Sequence, residues 1–296
     1  MKSGFVSIIG RPNVGKSTFL NTAMGEKVSI VTPKPQTTRD NIRGIYSKND
    51  VHIVFVDTPG IQTPKSALDR RMIKQSMQAL NDCDCLLVIT EANRHGSVFE
   101  KDRPIIELIK KTKTPAILTI NKIDTTSKRA LLPQMESYGK IECFQEIVPI
   151  SAIKNDGVED VINTLGKYLQ EGPMYYPEDV ITDSPKDFII AEVIREKAIM
   201  HTREEVPYSL GVKVENIRRK GKKGKKVMVI SALLMVERPS QKGILIGKNG
   251  NMLKNIGMEA RQELEWLMNT RIFLELIVKV VPNWTKTDKG LLRVLS

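Results

Sequence analysis

Cysteine is scarce in this chain, with three among 296 residues, at Cys83, Cys85 and Cys143. Their odd number and their spacing lack the pairing of a disulfide framework or a zinc site. The sequence also lacks any apolar run near the roughly 20 residues that cross a bilayer. Its first ten residues lack the cleavage site of a secretory signal peptide. We therefore expect a soluble, cytoplasmic protein without structural disulfides.

Charge is abundant but unevenly distributed. Residues 1–180 hold 24 Lys and Arg against 21 Asp and Glu, whereas residues 181–296 hold 22 against 13. A basic excess in one segment is typical of proteins that bind nucleic acid or an acidic membrane surface. Three prolines at the border of the two charge regimes disfavour helix and indicate a linker. Since the chain is long enough for two domains, we predict a first domain at 1–172, a linker at 173–185 and a second domain at 186–296.

Residues 10–17 match the pattern G-x-x-x-x-G-K-[ST] and follow a short apolar segment, residues 3–9, that suits a buried strand. Glycines let backbone N–H groups close around phosphate oxygens, Lys16 offsets β- and γ-phosphate charge, and the Ser17 hydroxyl can ligate Mg²⁺. A helical pattern over 17–24 completes the required context. We predict a phosphate-binding loop whose nucleotide contacts are Gly10, Asn13, Val14, Gly15, Lys16, Ser17 and Thr18.

Three more motifs follow in the order of a guanine-nucleotide switch. Asp57 ends an apolar strand and suits the Mg²⁺ shell, while the N–H of Gly60 can meet the γ-phosphate. Asp124 can accept hydrogen bonds from guanine N1–H and the exocyclic amine together, an edge that adenine lacks. A backbone N–H in residues 151–153 can reach the guanine carbonyl. The predicted guanine contacts are Asn121, Lys122, Asp124, Ser151, Ala152 and Ile153.

A polar segment at residues 36–40 is the candidate for the first switch. A threonine there can bind Mg²⁺ and the γ-phosphate only while GTP is bound, and we favour Thr38, although spacing does not separate it from Thr37. We predict Mg²⁺ ligands at Ser17, Thr38 and Asp57, and catalytic groups at Lys16, Thr38 and Gly60. Because strands alternate with helices, we expect an α/β domain with a doubly wound parallel sheet.

The first domain resembles the translation-factor-related GTPases of the Era/Der/MnmE kind. The resemblance rests on residues 10–17, 36–39, 57–60, 121–124 and 151–152. In that group a hydrophobic residue, here Ile61, stands where Ras-like switches carry the glutamine that orients the attacking water. The resemblance further implies that Asn13 ligates a K⁺ ion near the transferred phosphoryl group. The alternative role for Asn13 is to stabilise the loop.

The second domain is predicted to be a smaller α+β unit. Strands at 210–218 and 227–236 flank a turn with seven basic residues in nine, and a helical pattern follows G-x-x-G at residues 247–250. Helix, G-x-x-G, helix is typical of a KH module, which holds about four unstacked bases; the alternative is a helix-turn-helix corner. The turn either contacts phosphates or is merely solvated. The predicted RNA contacts are Gly247, Lys248, Asn249, Gly250, Lys222, Lys223, Lys225 and Lys226.

This domain resembles the Era family, through Glu192, Arg195 and Glu196, residues 202–209, residues 246–250, and Trp284. The resemblance spans the chain and implies a GTPase that binds single-stranded RNA at the 3′ end of 16S ribosomal RNA and assists maturation of the small ribosomal subunit. Its cofactors would be GTP/GDP, Mg²⁺ and, through Asn13, K⁺, and we expect a monomer. Two alternatives are a passive RNA chaperone with GTP as a structural ligand, and a signalling GTPase held peripherally on anionic lipid at the inner face of the cell membrane.

Overall fold

The computed structural model describes residues 1–93, 95–221 and 227–295. It divides into two compact units. The first comprises Met1–Val31, Pro35–Thr63 and Arg71–Asp183, and the second comprises Thr32–Lys34, Pro64–Arg70 and the chain from Ser184 onward. Within the described residues, every helix is too short or too polar to cross a lipid bilayer.

Strands and helices alternate through the first unit, as the sequence predicts. The strands are β1 (Lys2–Gly10), β2 (Ile42–Lys48), β3 (Val51–Asp57), β4 (Cys85–Glu91), β5 (Ala116–Asn121), β6 (Glu146–Pro149) and β7 (Gln170–Glu171). The α-helices are α1 (Lys16–Met24), α2 (Ala67–Asn81, mostly in this unit), α3 (Arg103–Ile109), α4 (Lys128–Gly139) and α5 (Val158–Tyr168).

These strands form one sheet in the order β2-β3-β1-β4-β5-β6, with β7 beside β1. Neighbours from β3 to β6 run parallel, but β2 is antiparallel to β3 and β7 is antiparallel to β1. The doubly wound sheet is therefore parallel except at these two strands. Asn49 and Asp50, with φ of 53° and 59°, are the only residues between β2 and β3, and such a short connection permits a hairpin but no parallel crossover.

The sheet of the first unit is buried on both faces. Successive residues of β1 point to opposite sides, so Ile8 packs in a cluster with Phe19 and Phe55, while Ile9 packs in another with Leu118. Strands covered on both sides are continuously apolar, which explains why the sequence pattern locates them. The carboxyl ends of the parallel strands meet at one edge of the sheet, and this is the edge where ligands bind in such folds.

The second unit is an α+β arrangement. Its elements are α6 (Lys186–His201), α7 (Val206–Ser209), β8 (Gly211–Lys220), β9 (Val227–Val236), α8 (Pro239–Ile246), α9 (Asn251–Met268), β10 (Ile272–Val280) and α10 (Asp288–Leu295). The sheet order is β10-β9-β8, with β9 antiparallel to β8 and parallel to β10. Side chains from α6, α8, α9 and the sheet share one buried cluster.

Three of the residues that carry the family resemblance have structural roles in the second unit. The guanidinium of Arg195 donates from Nε and one terminal nitrogen to both carboxylate oxygens of Glu192, at 2.7 and 2.6 Å. Trp284 is fully buried, and its Nε1 donates to the carbonyl oxygen of Ser209 at 2.8 Å. Paired and hydrogen-bonded in this way, these polar groups can be buried without a large desolvation cost.

Candidate nucleotide and RNA sites

The phosphate-binding loop links β1 to α1 and requires glycine at two positions. A Cβ at Gly10 would overlap the carbonyl oxygen of Ile89, and a Cβ at Gly15 would overlap the side-chain amide of Asn121. Gly15 also has a φ of 101°, in the region that L side chains rarely adopt. The loop ends at the N-terminus of α1, where unpaired N–H groups and the helix dipole favour a phosphate.

Lys16 is buried beneath this loop. Its Nζ donates to the carbonyl oxygens of Gly10 and Arg11, at 3.2 and 2.9 Å. Burial lowers the pKa of Lys16 to about 8, with Asp57 acting in the opposite direction and the positive charge of Arg11 adding to the decrease. The ammonium group is thus held close to the loop by backbone acceptors.

Asp57, at the end of β3, is the centre of a cluster of hydroxyl groups. Its Oδ2 accepts hydrogen bonds from Ser17 Oγ at 2.6 Å, Ser29 Oγ at 3.0 Å and Thr38 Oγ1 at 3.4 Å. Thr38 Oγ1 also lies 3.0 Å from Ser17 Oγ. The other carboxylate oxygen, Oδ1, is buried without a hydrogen-bond partner, and burial raises the pKa of Asp57.

This cluster fits a Mg²⁺ ion. A carboxylate oxygen without a partner, beside two hydroxyl groups, supplies the hard oxygen ligands that Mg²⁺ prefers, while the remaining positions suit phosphate oxygens and water. The geometry also favours Thr38 as the switch threonine, because its hydroxyl is already beside Ser17 and Asp57. Ser29 was not predicted from the sequence.

Asn121 forms three hydrogen bonds among the phosphate-binding loop and the segments predicted to contact guanine. Its Nδ2 donates to the carbonyl oxygen of Val14 at 2.9 Å, and its Oδ1 accepts from the N–H groups of Lys122 at 2.8 Å and Ala152 at 3.0 Å. Of the backbone N–H groups in residues 151–153, one of which was predicted to reach the guanine carbonyl, that of Ala152 is bonded to Asn121 in this structure. Through these three bonds Asn121 joins the phosphate-binding loop to the segments predicted to contact guanine.

Asp124 is exposed, whereas Ser151 beside it is buried. The Ser151 hydroxyl donates to Asp124 Oδ1 at 2.6 Å, which fixes the carboxylate and leaves its outer side accessible. Ile153, also a predicted contact, is 79% exposed and follows Ser151 in a 3-10 helix. The carboxylate is thus oriented by the protein and available to a guanine edge.

Lys122 spans two loops, because its Nζ donates to the carbonyl oxygen of Asn13 and to Glu91 Oε2, both at 2.8 Å. Asn13 has a left-handed φ of 64°, which asparagine tolerates. Of the remaining predicted loop contacts, Val14 precedes α1 and is buried in the core, and Thr18 lies in the first turn of α1.

Gly60 and Ile61 lie next to the phosphate loop. A Cβ at Gly60 would come within 2.6 Å of the Pro12 nitrogen, so only glycine fits there. Ile61 donates its backbone N–H to the carbonyl oxygen of Gly10 at 3.3 Å, and its side chain packs against the cluster that contains Ile9. The side chain at this position therefore offers no hydrogen bond to a water molecule.

The sequence did not indicate the groups that hold Arg11 of the phosphate loop. The guanidinium of Arg11 pairs with Asp102, and Thr90 Oγ1 and Tyr138 OH each donate to Asp102 Oδ2 at 2.6 Å. Arg11 also lies 4.5 Å from the ring centroid of Phe99. Arg11 stands at a variable position of the motif, and its partners are far away in sequence, so spacing carries no signal for this network.

The second unit contains the G-x-x-G loop between α8 and α9. Gly247 has a φ of 71°, and a Cβ there would lie 2.6 Å from Cβ of Met252. Gly250 has a φ of 75°, but a Cβ there would meet nothing within 4 Å. Lys248 and Asn249 are exposed, and Asn249 adopts a left-handed φ of 54°. The loop is therefore a tight turn whose outer side is open to a phosphate backbone.

The other predicted RNA contacts belong to the basic turn. Lys222, Lys223, Lys225 and Lys226 lie outside the described residues.

The chain matches known families in both units. Residues 5–122 match the family described as 50S ribosome-binding GTPase, and residues 205–285 match the KH domain. GTPase Era of Syntrophus aciditrophicus is 47% identical over 98% of this chain and 94% of its own length. GTPase Era of Lactobacillus helveticus is 48% identical over 100% of this chain and 96% of its own. This chain belongs to the GTPase Era family.

Solved Era structures agree with the fold. A variant of Aquifex aeolicus Era bound to GDP and AlF₄⁻ superposes with a TM-score of 0.94 at 41% identity, over 99% of both chains. Era in complex with MgGDPNP and nucleotides 1506–1542 of 16S ribosomal RNA superposes with a TM-score of 0.95 at 41% identity, over 99% of this chain and 98% of that one. The predicted P-loop GTPase domain followed by a KH domain is confirmed, and the chain is a GTPase.

Proposed function

We propose that this member of the Era family is a Mg²⁺-dependent GTP switch that binds the 3′ end of 16S ribosomal RNA through its KH loop and assists maturation of the small ribosomal subunit. The observation that carries the enzymatic part is the Asp57 cluster, in which the hydroxyls of Ser17, from the phosphate loop, and Thr38, from the candidate switch, lie beside a buried carboxylate. The RNA part is supported by the open G-x-x-G loop and by the relative that holds nucleotides 1506–1542.

Phosphate binding is assigned to Lys16 and to the N–H groups at the start of α1. Mg²⁺, held by Ser17, Thr38 and Asp57, would neutralise charge on the β- and γ-phosphate oxygens. Thr38 and the Gly60 N–H would each contact the γ-phosphate when GTP is bound, so hydrolysis would remove these contacts and release both segments. This release is the switch.

Base selection is assigned to Asp124, held by Ser151, within loops fixed by Asn121. The carboxylate accepts from two guanine donors, and a purine without them leaves it unpaired. When the wrong ligand leaves such hydrogen bonds unmade, the site discriminates against it by a factor of about 10⁴ or more.

Hydrolysis is expected to be slow because the Ile61 side chain cannot orient the attacking water. A partner could therefore raise the rate of hydrolysis. We propose that Asn13 contributes to a K⁺ site that places positive charge near the phosphoryl group. Its left-handed backbone and its bond to Lys122 hold the loop in one conformation, which supports this role but also fits the purely structural alternative.

The test is single-turnover GTP hydrolysis by the full chain, with and without an RNA spanning nucleotides 1506–1542 of 16S ribosomal RNA. Asp57→Asn should abolish Mg²⁺-dependent hydrolysis while leaving nucleotide-free RNA binding intact. Hydrolysis unaffected by saturating RNA would instead support a passive chaperone. Co-sedimentation with anionic vesicles after nuclease treatment would support membrane association in place of a purely cytoplasmic location. Sedimentation equilibrium tests the predicted monomer.

A further inference from the structure

Arg11 is the only charged residue between Gly10 and Gly15 of the phosphate loop. Its guanidinium donates from Nε to Oδ1 of Asp102 and lies 4.5 Å from the ring centroid of Phe99. The side chains of Arg11 and Asp102 are 13% and 7% exposed, so the ion pair is largely shielded from water. Removing both charges from water has a cost that the ion pair must offset.

The carboxylate of Asp102 is fixed before it meets Arg11. Asp102 ends a single 3-10 turn, Glu100–Asp102, directly before α3. Its Oδ2 accepts hydrogen bonds from Thr90 Oγ1 on β4 and Tyr138 OH on α4, both at 2.6 Å. Oδ1 is therefore left for Arg11, at a position that the core of the first unit determines.

Glu91, the other carboxylate beside Arg11, does not replace Asp102. The Nη2 atom of Arg11 lies 3.6 Å from Glu91 Oε1, too far for a hydrogen bond, and is buried without a hydrogen-bond partner. Glu91 Oε2 accepts instead from Lys122 Nζ at 2.8 Å. Among the residues that the structure describes, Asp102 is the carboxylate that hydrogen-bonds to Arg11.

The backbone of Arg11 belongs to the nucleotide site. Its carbonyl oxygen accepts from Lys16 Nζ at 2.9 Å, closer than that of Gly10 at 3.2 Å. Pro12, the next residue, lies so near Gly60 that a Cβ at Gly60 would come within 2.6 Å of the Pro12 nitrogen. A shift of Arg11 would therefore move both the carbonyl that holds Lys16 and the atoms that Gly60 contacts.

The second half of the phosphate loop is held from a different segment. The carbonyl oxygens of Asn13 and Val14 accept from Lys122 Nζ at 2.8 Å and from Asn121 Nδ2 at 2.9 Å. Both donors belong to the segment predicted to contact guanine. The first half is held by a side chain of the loop itself, Arg11, which reaches out to Asp102. Loss of Asp102 should therefore disturb contacts to phosphates more than contacts to the base.

We propose that Asp102 is a positioning residue for GTP binding and hydrolysis: by holding Arg11, it sets the carbonyl that keeps Lys16 beneath the phosphates. The proposal rests on the assignment of phosphate binding to Lys16. A buried ion pair contributes little to stability that apolar side chains of similar volume could not supply. Its directional hydrogen bonds fix one arrangement of the loop, and preorganised donors are what a phosphate site requires.

The first test separates the phosphates from the base. In Asp102→Asn the amide oxygen can accept from Thr90 and Tyr138, but the amide NH₂ then faces the Nε–H of Arg11, so two donors meet and Arg11 must move. Calorimetric titration of the full chain in Mg²⁺ should show GTP, GDP and ITP each bound about tenfold more weakly. The ratio of GTP to ITP affinity should stay at the wild-type value, because ITP lacks only the exocyclic amine assigned to Asp124.

Arg11→Met removes the same contact from the other side. Asp102 keeps its bonds to Thr90 and Tyr138, and GTP affinity should again fall about tenfold. The double variant, Arg11→Met with Asp102→Asn, should lose no more than either single variant, since both changes act through one contact. A loss of about a hundredfold, the product of the two, would show that the residues act independently and would overturn the proposal.

Glu192→Gln is the matched control, because it breaks the buried pair of Glu192 with Arg195 in the second unit. It should lower the melting temperature and leave GTP affinity unchanged. Phosphorus NMR of bound GDP adds a readout that does not depend on affinity. At saturating GDP the β-phosphate resonance should shift in Asp102→Asn and stay at its wild-type position in Glu192→Gln.

Wild-type GTP affinity or an unshifted β-phosphate resonance in Asp102→Asn would overturn the proposal. A GTP to ITP ratio that changed with the loss would do the same, as would an equal loss in Glu192→Gln, because either would indicate a general loosening of the protein. Lys16→Met separates this inference from the assignment on which it rests. Wild-type GTP affinity in Lys16→Met would overturn the phosphate site itself, whereas weak binding there with intact binding in Asp102→Asn would remove only the role of Asp102.

Discussion

The nucleotide site and the KH loop, the two sites proposed to bind phosphate, differ in how far their polar groups are buried. In the nucleotide site Lys16 and Asp57 are buried and already bonded to protein groups. In the KH loop Lys248 and Asn249 are exposed, and Gly250 faces open space. Buried, preorganised groups impose strict chemical selection, because a wrong ligand leaves them unpaired. Exposed charges give affinity that depends on salt and little on sequence.

The sharpest test of strict selection in the nucleotide site is Asp124→Asn. An amide offers a donor to the 2-oxygen of xanthine and can no longer accept both guanine donors. We expect the preference to change from GTP to XTP, with a change of about 10⁴ or more in the ratio of dissociation constants. Competition binding with labelled nucleotides measures it.

Asp156→Asn is the matched control, because Asp156 is an exposed carboxylate in the neighbouring turn whose backbone pairs with Ser151. It should keep the GTP preference. If Asp124→Asn also kept it, the base would be read elsewhere.

For the KH loop, Gly250→Asp should weaken RNA binding about a hundredfold or more, since a carboxylate would stand where backbone meets phosphate. GTP binding should survive in the same protein. Filter binding with one preferred and one scrambled oligonucleotide measures the first, and nucleotide titration measures the second.

Gly250→Asn is the control for shape, because asparagine tolerates the φ of 75° and a Cβ there meets no neighbour. Wild-type RNA affinity in the Asp variant would contradict the KH assignment. Gly247→Asp should also abolish RNA binding, although its Cβ would crowd Met252 as well.

Replacing the lysines of the basic turn would test how much of the RNA affinity comes from charge alone. If Lys222, Lys223, Lys225 and Lys226 contact phosphates, replacing them with glutamine should weaken all single strands alike. The slope of log affinity against log salt should become shallower by about 0.7 for each lost contact, or about 3 in total. An unchanged slope would leave the turn as a solvated loop.

Slow turnover is the expected consequence of Ile61. The isolated protein should hydrolyse GTP at ~10⁻⁴ to 10⁻² s⁻¹, the range of unassisted switches, and faster in K⁺ than in Na⁺ if Asn13 is an ion ligand. Phosphate release in matched salts measures both, and Asn13→Ala should remove the difference between the ions. A rate above ~1 s⁻¹ would be incompatible with the first expectation, and equal rates in the two salts with the second.

The smallest expected effect is the uptake of a fraction of a proton when GTP binds. Burial places the pKa of Lys16 near 8, below its ordinary value of 10.5, and phosphate oxygens beside Nζ favour the charged form. GTP binding should therefore raise this pKa and take up a proton, roughly three quarters of one at pH 8.5, so that affinity falls as pH rises above 8.

Calorimetry in two buffers of different ionisation enthalpy measures this uptake. At pH 6.5 Lys16 is already protonated, so no uptake from it is expected there. Equal proton uptake at both pH values would show that another group is responsible.

Much of this molecule could be read from local pattern. Strands β1, β3 and β5 are mostly apolar because both faces of their sheet are covered, and each ends in a motif whose residue types suit phosphate, metal or base. The G-x-x-G turn could be predicted because glycine readily adopts positive φ, and both glycines of this turn between two helices do so. Those features depend on neighbours in sequence.

Pairings between distant residues could not be read in this way. The hairpin of β2 and β3 was not predicted, because alternating strands and helices are typical of a parallel sheet and the antiparallel pair is an exception to that pattern. Ser29 joins Asp57, and Asp102 anchors Arg11, across long stretches of chain that no spacing rule connects.

The sequence by itself determined the chemistry of this protein: a loop for phosphate, a carboxylate for guanine and an open turn for RNA, because each needs particular residue types at short, fixed spacing. The tertiary structure alone decided which hydroxyls surround Asp57 and which bond occupies the Ala152 N–H. The physical reason is that burial and pairing depend on which segments pack together, and packing joins residues that are distant along the chain.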